Sequence, residues 1–263
     1  MTRIALTLLL AVAAGCATGP RIDDSFRAKS QDSRAQYLII HYTTGTFAGA
    51  FNILTEGAVS SHYLVRDDDP PTIYRLVDEN RRAYHAGLSS WKGQTALNAA
   101  SIGIEIVNAG DTRTNGEVSF ADYPPAQVDA VVALVKDIVQ RHEIRGDRIL
   151  GHSDIAPQRK VDPGPKFPWK RLADEGLIPW PDAKLVAERR AFHEQALPDI
   201  AWFQSKLEEH GFAVARHGEF DEATIRVIAA FQMKYRPAKF DGQPDAETAA
   251  LLDVMTSAPA NAP

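Results

Sequence analysis

Three side chains of this 263-residue sequence have the types and the spacing of a metal-binding site. His41 follows the apolar segment YLII, and His152 and Asp162 stand ten residues apart in a segment rich in proline and glycine. Two imidazoles and one carboxylate form a zinc ligand set that leaves the fourth tetrahedral position for water, as in a catalytic site. A lone histidine would more often be a surface or core residue, but the grouping with Asp162 favours one Zn²⁺ per chain.

Glu105 is a candidate general base. It lies in SIGIEIVN, a segment otherwise suited to burial, and strict alternation places Gly103, Glu105 and Val107 on one face of a strand. Gly103 would leave room for a ligand or for backbone, and a partly buried glutamate near a zinc-bound water would accept its proton. The competing interpretation is an edge-strand glutamate that faces water.

Lys160 is a candidate for stabilising an oxyanion, because it lies two residues before Asp162. An ammonium group there would share with the metal ion the charge that forms when water attacks a carbonyl. Alone it would be a solvated lysine, and its neighbour Arg159 competes for the role. The segment GHSDIAPQRKVDPGPKFPW, which carries these residues, is predicted to be a loop and neither helix nor strand.

The segments that must position these side chains alternate between strand and helix patterns. Short apolar runs predict four strands, which are YLII, HYLV, TIYRLV and SIGIEIVN. One helix is predicted for Phe47 to Leu54, and a strongly amphipathic one for Pro125 to His142. The pattern predicts an α/β (α+β) catalytic domain over residues 37–178, with a central mixed β-sheet covered by helices.

A second, smaller domain is predicted near the C-terminus. A charged stretch punctuated by three prolines, residues 179–198, is predicted to be a linker. Residues 199–255 contain three segments with an apolar face and predict a three-helix bundle. These segments are Ile200 to His210, Asp221 to Tyr235 and Asp245 to Leu251. Residues 256–263 are rich in Ala, Pro and Ser and are predicted to form a disordered tail.

The N-terminus has the three parts of a secretory signal. In residues 1–15 an Arg precedes an apolar run, too short to span a bilayer, and then small residues. The only cysteine, Cys16, ends this segment, so an intrachain disulfide and a metal site with two thiolates are excluded. Residues 16–36 are predicted to be a tether. The net charge of −5 and the lack of a basic stripe argue against nucleic acid as a partner.

Five motifs in order, HYTT, SSHYLV, YHAG, SIGIEIVN and GHSDIAPQRKVDPGP, together resemble the zinc-dependent N-acetylmuramoyl-L-alanine amidases of type 2. Their fold is shared with peptidoglycan recognition proteins, and the likeness runs from about residue 37 to 180. The resemblance implies that zinc is bound at the positions matching His41, His152 and Asp162, and that those matching Glu105 and Lys160 are catalytic. His85, in YHAG, is predicted to contact substrate or to pack.

The resemblance also implies the substrate and the reaction. An enzyme of this family would hydrolyse the amide between the lactyl group of N-acetylmuramic acid, or its anhydro form, and L-alanine of the stem peptide. Peptidoglycan and muropeptides would then be its partners in cell-wall turnover. In this family the metal ion and a base activate water, which attacks the lactyl carbonyl.

Two further resemblances concern the ends of the chain. HGEFDEATIRVIAAFQ is similar to the type 1 peptidoglycan-binding module, although a helical cap that only packs on the catalytic domain would also account for it. Ala13-Ala14-Gly15-Cys16 resembles a bacterial lipoprotein box, which implies lipidation of Cys16. Since the next residue is Ala17 and not aspartate, we expect an outer-membrane anchor with the protein facing the periplasm.

Three other functions are compatible with parts of the sequence. A non-catalytic peptidoglycan receptor on the same fold would usually lack part of the ligand set, which is complete here. A zinc peptidase that cuts within the stem peptide would use identical metal chemistry, so only its products would distinguish it. A lipoprotein that merely tethers the outer membrane to the cell wall would leave Glu105 and Lys160 without a role.

Overall fold

The computed structural model describes residues 19–20 and 22–257, so the predicted signal segment, Cys16 and the end of the predicted tail lie outside the described residues. The chain divides into two compact units, Met1–Asp32 and Ser33–Pro263, and the elements below belong to the second. Each helix in the described ranges is too short or too polar to cross a membrane.

The strands of the second unit all lie between residues 37 and 151, where two α-helices interrupt them, and only helices follow Gly151 among the described residues. The strands are β1 (Tyr37–Tyr42), β2 (Tyr63–Val65), β3 (Ile73–Arg75), β4 (Ser90–Trp91), β5 (Gln94–Thr95), β6 (Ser101–Ile106), β7 (Asp111–Thr114), β8 (Glu117–Phe120) and β9 (Ile149–Gly151). The helices are α1 (Phe47–Glu56), α2 (Pro125–His142), α3 (His152–Ile155), α4 (Trp169–Asp174), α5 (Ala183–His193), α6 (Ile200–His210), α7 (Glu222–Tyr235) and α8 (Ala246–Ser257).

A five-stranded sheet in the order β3-β2-β6-β1-β9 forms the centre of the fold. Strands β2, β6, β1 and β9 are parallel, whereas β3 pairs with β2 in the antiparallel direction. The four predicted strands are all present, and the predicted mixed α/β class is confirmed. Two small hairpins, β4-β5 and β7-β8, and the short strand β9 carry too few residues to show a period in the sequence.

Helix α2 covers one face of the sheet. Its buried residues, such as Val131, Val135 and Ile138, recur at helical spacing and pack on the apolar side chains of β1 and β6. Ile102 and Ile104 of β6 lie in this core. Because side chains alternate along a strand, the residues between them point to the opposite face of the sheet.

The C-terminal helices cover part of that opposite face. One hydrophobic cluster joins Ile39 of β1 and Leu150 of β9 to Phe203 of α6 and Phe231 of α7. All four of these side chains are at most 1% exposed. The predicted helical bundle therefore shares a continuous core with the catalytic domain.

The stretch predicted to be a linker is in part a helix. Asp182 caps the start of α5, where its side chain accepts hydrogen bonds from the backbone N–H groups of Lys184 and Leu185. His193 at the end of α5 contacts Asp253 of α8, with Nε2 2.7 Å from Oδ2. The weak apolar periodicity of VAERRAFHEQ concealed this helix. Residues 256 and 257, assigned to the tail, complete α8.

Candidate active site

The three predicted metal ligands converge at the carboxyl ends of the parallel strands β1 and β9. His41 is near the end of β1, His152 begins α3, and Asp162 lies in the loop that follows. His41 Nδ1 is 3.0 Å from both His152 Nδ1 and Asp162 Oδ2, and the last two atoms are 3.1 Å apart. All three residues are buried. They form the one group of metal-binding character found in the described ranges.

The hydrogen bonds around this group show that it suits a cation. Nε2 of His152 is 3.2 Å from the carbonyl oxygen of Ala86, which can accept its N–H and leave the lone pair of Nδ1 for a metal ion, and the Arg159 guanidinium is 3.1 Å from the same Nε2. Nε2 of His41 is 3.0 Å from Nδ1 of His85 and donates to it, which leaves a lone pair on His41 Nδ1 as well. With Nδ1 of both rings unprotonated, two imidazole lone pairs and a carboxylate oxygen converge within 3.0–3.1 Å, an arrangement that a positive ion between them would stabilise. These residues therefore fit Zn²⁺, whose ligand atoms stand about 3.3 Å apart in tetrahedral geometry.

The protonation states of these groups also fit metal binding. Burial, reinforced by the nearby His152, lowers the pKa of His41 to about 4. Burial alone would raise the pKa of Asp162, but the contacts with His152 and His41 outweigh it and hold this pKa below its usual range. Neutral imidazole and ionised carboxylate are the forms that bind metal ions.

Glu105 lies beside the metal ligands because of strand register. In the parallel pair β1-β6, Glu105 is directly opposite His41, and both side chains point away from α2. Its Oε2 is buried and lacks a hydrogen-bond partner within the described residues. Burial, with the charge of Asp162, raises the pKa of Glu105 well above its usual value, while Lys160 opposes this shift.

Lys160 lies within electrostatic range of the same centre. It is half-buried, and its positive charge influences the pKa values of both Glu105 and His41. Its backbone N–H donates to the carbonyl of Ala156, which fixes the start of the loop. The structure thus brings together all five residues that the sequence analysis assigned to zinc binding and catalysis.

His85 occupies a position different from the predicted contact with substrate. Its ring is buried behind His41, and both of its nitrogens are used inside the protein. Nδ1 accepts from His41, and Nε2–H donates to Oγ of Ser101 at 3.1 Å. The Ser101 hydroxyl donates in turn to the carbonyl of Leu97 at 2.7 Å. With no free ring nitrogen, His85 orients the imidazole of His41 and sets its tautomer.

Gly103 makes room for this arrangement and not for a ligand. A Cβ atom at this position would stand 2.6 Å from Cγ of His85 and 2.7 Å from its Nδ1. The backbone N–H of Gly103 donates to Nδ1 of His62 at 3.0 Å, so a second buried imidazole packs against β6. The sequence analysis identified the space beside Glu105 but assigned the wrong occupant.

The segment predicted to be an irregular loop is more ordered than expected. Gly151 ends β9, and His152 begins the single-turn helix α3. The backbone N–H of Ser153 donates to the carbonyl of Asp162 at 2.9 Å, which brings the two ends of the segment together. A three-residue strand and a four-residue helix are too short to produce a recognisable apolar period.

Arg159, considered as a competitor of Lys160, has another role. Its guanidinium donates to the carbonyl oxygens of Ala86 and Leu88 and lies against Gly87. Arg159 thereby holds residues 86–88 in place, and the carbonyl oxygen of Ala86 in this segment faces Nε2 of His152. Gly87, the glycine of YHAG, was the only signal in the sequence of the close approach between the Arg159 guanidinium and this backbone.

Comparison with known proteins identifies the family to which the chain belongs. The family of N-acetylmuramoyl-L-alanine amidases matches residues 31–165, and a putative peptidoglycan-binding domain matches residues 197–252. The chain therefore belongs to the N-acetylmuramoyl-L-alanine amidase family and carries a C-terminal peptidoglycan-binding module.

Individual relatives extend this similarity over nearly the whole chain. N-acetylmuramoyl-L-alanine amidase AmiD of Escherichia coli is 41% identical over 96% of this chain and 95% of its own length. A solved structure of AmiD with the substrate anhydro-N-acetylmuramic acid-L-Ala-D-gamma-Glu-L-Lys has a TM-score of 0.80 and 40% identity, covering 90% of this chain and 94% of that one. AMPDH3 of Pseudomonas aeruginosa, solved with an anhydromuramic pentapeptide, has a TM-score of 0.82 and 38% identity, covering 89% and 96%.

Proposed function

We propose that this chain hydrolyses the amide bond between N-acetylmuramic acid, or its anhydro form, and L-alanine of the stem peptide, with Zn²⁺ held by His41, His152 and Asp162. The observation that carries the proposal is the convergence of two imidazole nitrogens and one carboxylate oxygen within 3.1 Å, beside Glu105, whose buried Oε2 has no hydrogen-bond partner among the described residues. The muropeptide ligands of AmiD and AMPDH3 support the choice of substrate.

Each residue of the site has a distinct part in the reaction. Bound Zn²⁺ supplies Lewis acidity and lowers the pKa of a water molecule towards about 7. The buried carboxylate of Glu105 accepts a proton from the attacking water at Oε2, and it then delivers this proton to the departing amine of L-alanine. Burial raises the pKa of Glu105, which makes its carboxylate a stronger base for the first of these two steps. The ammonium of Lys160 stabilises the oxyanion on the lactyl carbonyl.

Product analysis tests this function. Protein lacking residues 1–16 is incubated with purified sacculi and with an anhydromuramyl tripeptide, with and without a zinc chelator. Release of free stem peptides beginning with L-alanine, lost on chelation, would support the amidase. Fragments cut inside the stem would instead indicate a zinc peptidase, and binding without release would indicate a receptor.

We also propose that Cys16 is lipidated and anchors the protein to the outer membrane, facing the periplasm. The support is the signal pattern of residues 1–15 followed by the only cysteine of the chain. Metabolic labelling with a radioactive fatty acid tests this proposal. We expect label in the full-length protein and none in Cys16→Ser, with the wild type in the outer-membrane fraction. An unlabelled, soluble wild-type protein would refute the anchor.

A further inference from the structure

We propose that helix α7 of the C-terminal module positions the catalytic segment, and that Lys234 is its main positioning residue. The inference rests on the proposed zinc-dependent function. The module would then have a second role besides binding peptidoglycan, since it would hold the part of the catalytic domain that carries His152, Lys160 and Asp162.

Lys234 is inserted into the catalytic domain. Its Nζ donates to Oδ2 of Asp154 at 2.8 Å and to the carbonyl oxygen of Ile149 at 3.3 Å. It also lies 4.3 Å from the centre of the Trp169 ring. The Lys234 and Asp154 side chains are only 6% and 2% exposed, so they form a buried ion pair. These three partners belong to the catalytic domain, and the ring of Tyr235 in α7 itself lies farther away, at 5.8 Å.

Asp154 connects this ion pair to the metal site. It lies two residues after His152 in α3, and its Oδ2 also accepts a hydrogen bond from the backbone N–H of Gly151 at 2.8 Å. The carboxylate thus closes the turn from β9 into α3, where the backbone of His152 begins. The turn has little spare room, because a Cβ on Gly151 would stand 2.7 Å from Cδ of Pro163, the residue after Asp162.

A second contact holds the segment nearer to Lys160. The guanidinium of Arg226 in α7 donates to the carbonyl of Gln158 at 2.6 Å. The side-chain amide of Gln158 donates to the carbonyl of Ala223 at 3.0 Å. Residues 223 and 234 are about 16 Å apart along a helix. Helix α7 therefore contacts the catalytic segment at two separate points, one near each end of the stretch between His152 and Lys160.

A buried ion pair is a weak source of stability but a strong constraint on geometry. Apolar residues of similar volume often replace such a pair without loss, whereas removal of one partner leaves an uncompensated buried charge. Loss of Lys234 would leave the carboxylate of Asp154 buried and unpaired next to His152. We expect the turn to open towards water, which would displace the His152 imidazole from the other ligands.

Zinc affinity is the first readout of this role. We compare Lys234→Met with Lys206→Met, a matched control in the same module whose ammonium pairs with Glu209 in α6. Competition with a chromogenic chelator gives the zinc affinity of the folded protein. We expect Lys234→Met to bind zinc 10- to 100-fold more weakly, as is typical when a residue that supports a metal ligand is lost. Lys206→Met should match the wild type.

Kinetics and a compensating variant separate positioning from general stability. With an anhydromuramyl tripeptide, we expect Lys234→Met to lower kcat with little change in KM. Lys234→Met combined with Asp154→Asn should recover most of the zinc affinity, because it removes the buried charge while the amide oxygen still accepts from Gly151. Unchanged zinc affinity and kcat in folded Lys234→Met would overturn the proposal.

Two further arms keep the test decisive. If Lys234→Met does not fold, Arg226→Met replaces it, with Arg216→Met as control because Arg216 contacts only Glu208 among the ion pairs of the described residues. A loss of zinc affinity in Arg226→Met but not in Arg216→Met would support the positioning role, and equal zinc affinities of the two variants would refute it.

The proposed function fails by a different result. A wild-type protein that binds zinc tightly but releases no L-alanyl peptide would refute the proposed function and leave the zinc comparison intact.

Discussion

At the scale of single residues, the site depends on which nitrogen of each histidine carries the proton and on the proton that Glu105 can accept. The chain of donors from His41 through His85 and Ser101 to the carbonyl of Leu97 fixes one tautomer of His41. The carbonyl oxygen of Ala86 offers an acceptor of the same kind to Nε2 of His152. Glu105 is the exception, since its buried Oε2 has no partner among the described residues and is free to exchange a proton.

Glu105→Gln should remove the general base while keeping the shape of the site. We expect kcat to fall by about 10²- to 10⁴-fold, the usual contribution of a positioned acid or base. Zinc content and muropeptide affinity should stay close to those of the wild type, because Glu105 is not a metal ligand. Single-turnover kinetics and metal analysis check both parts, and wild-type turnover in this variant would exclude Glu105 as the base.

His85→Ala should weaken metal binding without touching a ligand. Loss of its Nδ1 leaves the Nε2–H of His41 without an acceptor, so we expect a 10- to 100-fold lower zinc affinity. His85→Gln, whose side-chain oxygen can accept this hydrogen bond, should restore part of the affinity. Chelator competition measures the effect, with the more exposed His217→Gln as a control. An unchanged KM would agree with a position behind the metal site, and a large rise in KM would favour contact with substrate.

At the scale of elements, the pairing of β1 with β6 creates the catalytic arrangement. Parallel register places His41 opposite Glu105, and alternation turns both side chains away from the apolar core under α2. The same strand β6 carries Gly103, whose missing side chain admits the ring of His85. One strand thus supplies the proposed base and the space for the residue that orients a proposed metal ligand.

Gly103→Ala tests this use of β6. The new Cβ would stand 2.6 Å from Cγ of His85, so the ring must shift away from His41. Overpacking of this kind costs about 1–3 kcal/mol of unfolding free energy. We expect a lower thermal midpoint and weaker zinc binding in the same variant. Normal values of both would show that His85 has more freedom than its contacts imply.

His210, the last residue of α6, should make the free energy of unfolding depend on pH. Burial, with the nearby charge of Lys234, lowers its pKa to about 3. The unfolded chain has a histidine pKa of about 6.5, so between these values the unfolded state binds the proton more tightly. Stability due to neutral His210 is therefore complete above about pH 6.5 and declines as the pH falls towards 3.

His210→Phe isolates this contribution. The variant should lose less unfolding free energy than the wild type between pH 7 and pH 4, because phenylalanine has no proton to gain. Urea denaturation at a series of pH values measures the difference. Parallel curves for the two proteins would show that His210 does not contribute to the acid sensitivity.

At the scale of the whole molecule, the catalytic domain and the C-terminal helices share one interior. Residues of β1 and β9 lie in the same hydrophobic cluster as residues of α6 and α7. The metal site is on the same side of the sheet, so it is built partly on this shared core. We therefore expect metal binding to stabilise the molecule as a unit.

Metal removal tests this expectation. A ligand at 1,000 times its Kd stabilises the native state by about 4 kcal/mol, and for a chain of this size that corresponds to roughly 10 °C in Tm. We expect a chelator to lower the Tm by roughly 10 °C, with unfolding still a single cooperative transition. Differential scanning calorimetry checks it, with Zn²⁺-saturated chelator as a control. Two separate transitions, only one of them sensitive to chelation, would contradict a shared core.

The sequence by itself determined the residue types of the site and the longer elements. Helix α2 and strands β1 and β6 follow from local periodicity, because each is long enough to repeat its buried face. The ligand set of two histidines and one aspartate follows from elementary metal chemistry. Short elements such as α3 and β9, and the weakly patterned α5, could not be read this way.

Only the tertiary structure decided which partners these residues have. His41 and His152 are 111 positions apart, and Lys234 and Asp154 are 80 apart, so no local pattern records their contacts. Strand register brought the first pair together, and packing of α7 on the sheet brought the second. The space at Gly103 of β6 put His85 behind His41 and not in the path of substrate, because a buried imidazole must find partners for both nitrogens where the fold provides them.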